Sequence, residues 1–149
     1  MKECTQGHGI RKYYTPSQVN ALLSDLRNTI LRIHKLRDQL ETLDELEIRC
    51  ETCGSNIMEH NIKMNKQHHK LSFEFFCELE FIQNLGVEIK DLDDGLIDFY
   101  SIFEGREILL CWKFDEEKLE HWHEVGGGFA ARKPIAILPD KKINVKSEK

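Results

Sequence analysis

A chain of 149 residues that is 40% hydrophobic and 32% charged suits one domain with one core. The net charge of −5 argues against broad contact with a phosphate backbone, so a nucleic-acid partner is not expected. No run approaches the roughly 20 apolar residues of a membrane helix, and five cysteines without a disulfide-like spacing fit free thiols in a reducing cytoplasm.

Residues 1–13 are polar, carry no apolar signal segment and read as a flexible arm ahead of a single domain over 14–138. Order is expected from "YTPSQV". Thr15 caps a helix, Pro16 suits its first position, and Gln18 closes a capping box. Val19, Leu22, Leu26, Ile33, Leu36, Leu40 and Leu43 then recur at three–four spacing, widened by Leu23 and Ile30. This predicts a helix over about 16–50, roughly 50 Å long. Residues 50–67 interrupt the pattern, with turn formers at Gly54, Ser55 and Asn56. Leu71, Phe75, Leu79, Ile82 and Leu85 predict a second helix over about 68–85, closed by Gly86. At roughly 27 Å it would cover only half of the first, leaving an apolar stripe at coiled-coil spacing. The expectation is a homodimer through the first helix.

After Gly86 the apolar period becomes two. "VEIKDL" and "LIDFY" flank Asp93, Asp94 and Gly95, a hairpin signal. "REILLCWKF" and "KLEHWHE" flank a second turn. A sheet of about four strands over 87–136 is therefore expected, and residues 139–149 form a basic tail expected to be mobile. The fold class is α+β, a long antiparallel helical hairpin packed on a small antiparallel sheet.

The stretches "YTPSQVNALLSDLR", "LGVEIKDLDDGLIDF", "GREILLCWKFDEEKLEHWHE" and "GFAARKP" resemble an uncharacterised conserved family of small prokaryotic proteins, domain of unknown function 2203. The resemblance covers roughly residues 14–136. It implies the same architecture, a long helical pair with a small sheet, and supplies no activity to carry over. That family usually has a proline after "DF", where Tyr100 stands in this chain.

The candidate site lies in "LLCWKFDEEKLEHWHE". A turn centred on Glu116 and Glu117 sets Trp112 opposite His121 and Leu110 opposite His123, with Trp112 and Phe114 as core anchors. His121 and His123, two apart on a strand, then share one face and can act as two ligands of a transition metal such as zinc. Asp98 and Glu88 are the better third ligands, and Glu124 is reachable only if the strand bends. Two ligands alone are a weak signal, so the first reading of the pair is two partly buried rings, each hydrogen-bonded to a carboxylate or to the backbone, with metal binding second. Arg106, Trp112, Glu124 and Arg132 are candidates for ligand contact, and "GGGFAARKP" either offers backbone N–H groups to an anion or is a plain connection. Cys50 and Cys53 resemble half of a zinc knuckle, a second possible metal site, but read first as free loop thiols. Cys111 reads as a small core residue. "DLDDG" lacks the final acidic ligand of a calcium loop.

Two functions follow. One is a non-catalytic binding or interaction module with a small ligand or metal pocket on the sheet. The other is a metal-dependent hydrolase using His121, His123 and an acidic residue, with Glu124 as general base.

Overall fold

The structure, a computed structural model, describes residues 11–50 and 57–138, with backbone alone at 47–50 and 137. Chain contacts divide it into two compact units, Asn28–Phe81 and the chain on either side of that segment. Two helices, α1 (Pro16–Cys50) and α2 (Ile57–Asn84), precede a five-stranded sheet. Its strands are β1 (Glu88–Asp91), β2 (Leu96–Phe103), β3 (Arg106–Lys113), β4 (His121–Glu124) and β5 (Lys133–Pro134). They lie side by side in chain order, each antiparallel to its neighbours. The α+β class is as expected; β5 makes one strand more than about four.

The start of α1 is the expected capping box. The Thr15 amide donates to Gln18 Oε1 at 2.9 Å, and the Gln18 amide donates to Thr15 Oγ1 at 3.2 Å. The first turns of α1 bury Val19, Leu23 and Leu26 with Ile97, Phe99, Leu110 and Trp112 of the sheet. Arg27 caps this layer. Its guanidinium lies 5.6 Å from the Trp112 ring and donates to the Glu116 carbonyl at 2.7 Å. Arg11 to Tyr13, placed in the flexible arm by sequence, are engaged: Arg11 and Tyr13 both reach Glu107, and Lys12 Nζ donates to the Asn84 carbonyl. Residues 1–10 and the basic tail lie outside the described residues.

In the Asn28–Phe81 unit the two helices form a hairpin. Leu36, Leu40 and Leu43 of α1 pack with Met64, Leu71 and Phe75 of α2. Here one expectation is corrected. The second helix starts at Ile57, not near 68, because no glycine or proline interrupts the polar run and Met64 joins the seam. Helices of 35 and 28 residues differ by only about 10 Å. The α1 stripe thus has cover within the chain, and the length mismatch that motivated a dimer through it is gone.

The first sheet turn is set by Asp91. Its Oδ1 accepts from the amides of Asp93 and Asp94, both at 2.9 Å, and Gly95 takes φ 62°. The next is a two-residue turn at Glu104 and Gly105, whose φ values of 51° and 77° match a twisted hairpin. Tyr100 continues β2 without a break where the family's proline would stand.

The second correction concerns the hairpin of β3 and β4. Its strands end at Lys113 and resume at His121, and the pairs are Cys111 with His121, Leu110 with Trp122 and Leu109 with His123. The register is one residue from the expected one. A longer connection replaces the tight turn, held by tertiary contacts: Trp112 Nε1 donates to the Glu116 carbonyl, and the Leu119 amide donates to Asn20 Oδ1. Slipping by one moves both histidines to the face opposite Trp112. Trp112 is fully buried as expected, whereas Phe114 is only half-buried. Trp112→Ala should therefore cost about 3–5 kcal/mol in a urea titration, and Phe114→Ala clearly less. Equal losses would mean that the Phe114 ring carries as much of the core as Trp112.

Candidate functional site

Alternation along the strands sorts the sheet's side chains onto two faces. Ile97, Phe99, Leu110 and Trp112 meet the first turns of α1. The outer face carries Glu88, Asp98, Tyr100, Leu109, Cys111, His121 and His123, by the pairings of Glu88 with Asp98, Asp98 with Cys111 and Cys111 with His121. An outer face usually meets water, yet Asp98, Cys111 and His123 are each 1% exposed.

The segment after β4 passes close to His123: a Cβ on Gly127 would lie 2.9 Å from the Ala131 Cβ and 3.7 Å from the His123 Cβ. The segment leads to Arg132, whose Nη2 donates to the Cys111 carbonyl at 3.2 Å and to the Glu116 carboxylate. Glu116 also stands 3.2 Å from His121 Nδ1. Arg132 and Glu116 thus form an ion pair beside the buried group, with His121 next to it. Toward the opposite edge, Tyr100 donates to Glu88, Arg11 stacks on the Tyr100 ring, and Tyr13 donates to Glu107. The hydrogen bond from Lys90 holds the Glu88 carboxyl below its usual range, while burial and then the Glu88 charge raise the Tyr100 phenol.

Asp98, Cys111 and His123 bring one oxygen, one sulfur and one nitrogen within 4.8 Å of one another. His123 Nδ1 lies 2.8 Å from the Glu124 carbonyl. A carbonyl only accepts, so Nδ1 carries the hydrogen and Nε2 points at Asp98 Oδ2, 3.2 Å away. Two lone pairs facing each other at that distance need a shared proton or a cation between them. The other carboxylate oxygen, Asp98 Oδ1, has no hydrogen-bond partner. Burial first, and the neighbouring Asp98 charge second, push the Cys111 thiol up to about 12.

Of the four expected metal ligands, Asp98 and His123 come together. His121 turns to Glu116, and Glu88 is engaged with Lys90 and Tyr100. Cys111 is the member that sequence reasoning passed over. A lone strand cysteine looks like core, and only its pairing opposite Asp98 distinguishes it. Among the expected ligand contacts, Trp112 is core. Arg106 pairs with Glu124 at 3.1 Å, and Lys133 reaches the same carboxylate at 3.6 Å. Glu124 shares the Trp122 face, away from His123, so the general-base role expected of it has no geometry to act on the buried group. Arg132 borders the group through its bond to the Cys111 carbonyl. Cys50 ends α1 with no side chain described, and Cys53 lies outside the described residues.

The chain is thus an α+β protein whose sheet holds a buried carboxylate, thiol and imidazole on one face. It belongs to the family of uncharacterized conserved proteins DUF2203, which it matches over residues 12–135. No curated protein and no solved structure matches it. No helix among the described residues is long and apolar enough to cross a membrane.

The two free cysteines among the described residues, exposed Cys77 and buried Cys111, should differ in reactivity. With chelator-treated protein at pH 8, mass mapping after iodoacetamide should show Cys77 alkylated and Cys111 intact until denaturant is added. Equal rates would mean that the outer face opens freely.

Proposed function

We propose that the protein is a non-catalytic binding module whose ligand is a transition-metal ion of the zinc class, held by Asp98, Cys111 and His123. The convergence of these three donor types within 4.8 Å carries the reading. Thiolate, imidazole and carboxylate together suit zinc better than magnesium or calcium, which take oxygen ligands. Two details support it. A ligating histidine commonly donates its other N–H to a carbonyl, as His123 does to Glu124. The unpartnered Asp98 Oδ1 sits in a place where an unsatisfied buried oxygen is costly.

The burial of all three donors favours holding over turnover. A hydrolytic zinc keeps an open position for water and substrate, and donors that are 1% exposed offer no such access. A reducing, cytoplasmic setting fits the same reading, because Cys111 must stay reduced to give up its proton and bind as a thiolate.

The test is metal analysis of protein purified without a histidine tag, with cobalt substitution as a second readout. Near one zinc per chain is expected. The cobalt form should show a thiolate charge-transfer band that Cys111→Ser abolishes. Asp98→Asn and His123→Ala should lower the metal content sharply, while His121→Ala and Glu88→Gln should leave it in place. Wild-type protein that takes up no zinc or cobalt after refolding with either ion overturns the reading. So does full metal content in folded Cys111→Ser and His123→Ala.

A further inference from the structure

The hairpin of the Asn28–Phe81 unit leaves one helix face unexplained. The inward face of α2 carries Met64, Leu71 and Phe75. At about 100° per residue, Met58, Ile62, His69, Phe73 and Phe76 fall within a sector of about 60° on the opposite side. The apolar members of this stripe are open: Met58 is 78% exposed, Ile62 47%, Phe73 70% and Phe76 64%. The two phenylalanines alone leave on the order of 250 Å² of ring surface in water. A contiguous patch of this kind marks an interaction surface more often than scattered apolar residues do.

The charges along the same helix identify the occupant. Lys63, Lys66 and Lys70 stand in the first half with no acidic residue between them. Glu74, Glu78 and Glu80 stand in the second half with no basic residue between them, Glu78 being paired with Arg32 of α1, and the last turn of α2 holds no basic residue. This order opposes local helix stability. Lys66 and Lys70 repel one turn apart, and acids toward the C-terminal end meet the negative pole of the helix. It is the order that lets a helix pair with an antiparallel copy of itself. Lys66 and Glu80 each lie seven residues from Phe73, about 10 Å on either side. With a two-fold axis at Phe73, each Lys66 meets Glu80 of the second copy, Phe73 closes on its counterpart, and Phe76 lies about one turn along, against Phe73 and Lys70 of the second copy.

We propose that the protein self-associates through the outward face of α2, in an antiparallel pair centred on Phe73. This goes beyond the metal site and does not depend on it. The face also differs from the α1 stripe, which is packed within the hairpin. The interface is isologous, as expected of a two-fold dimer.

Sedimentation equilibrium of the full chain over the micromolar range tests this. The wild type should be a dimer. Phe73→Glu and Phe76→Glu, both exposed positions, should each weaken it at least about tenfold, equal to about 1.4 kcal/mol, with unchanged helix content by circular dichroism. Lys66→Glu and Glu80→Lys should each weaken the dimer, and the two together should restore it, because the double reversal rebuilds both cross-pairs. A parallel pair gives no such rescue. A wild-type monomer throughout the range overturns the proposal, as does a dimer indifferent to Phe73→Glu and Phe76→Glu. A double reversal no tighter than the single ones overturns the antiparallel arrangement.

Discussion

The eight-pair ladder between β2 and β3 is the constraint on which the sheet depends. Its register is set at one end by the two-residue turn of Glu104 and Gly105, both at positive φ. A side-chain period of two turns that register into a partition of faces. Ile97 and Phe99 go inward with Trp112 and Leu110, and Asp98 goes outward opposite Cys111. A slip of one residue would drive Asp98 beneath α1 and leave the inner layer without its aromatic rings. The core and the polar group on the other face are therefore fixed by one turn, and neither can be altered independently of it.

How much of this was legible in the sequence follows from how local each determinant is. The start of α1 is written within four residues, since Thr15 and Gln18 satisfy each other's amides. The first sheet turn is equally local, through Asp91 and Gly95. The connection of β3 to β4 is not. Its path depends on Asn20, a residue of α1, receiving the Leu119 amide. A determinant 99 positions away leaves no trace in the periodicity of the hairpin. The histidines were therefore expected on the wrong face, and Cys111 was not seen as their neighbour. The beginning of α2 was hidden for a different reason. A polar run with one seam residue, Met64, has weak amphipathic contrast, and its helical state is decided by packing on Leu36, Leu40 and Leu43.

The glycine-rich segment raised a choice between anion binding and a plain connection. The geometry gives it a definite mechanical role: it lies close over His123, with Gly127 where a methyl group would press on Ala131. It ends in Arg132, which ties β3 to the Glu116 carboxylate. The Arg132–Glu116 pair at the edge of the buried group is itself only 11% and 15% exposed, and such a pair is costly to break by removing one partner.

Tyr14 is fastened to the middle of the sheet. Its amide donates to the Tyr100 carbonyl at 2.8 Å, and its own carbonyl accepts from Ser101 Oγ, 87 positions further along the chain. During synthesis the segment around Tyr14 leaves the ribosome well before the strand that holds it. At roughly 5–20 residues per second, it waits on the order of 4–17 seconds for Ser101 to be made. The start of α1 can form in that interval from its own capping box, but it has no sheet to bury Val19, Leu23 and Leu26. The apolar face of its first turns therefore stays in water until β2 and β3 have been made.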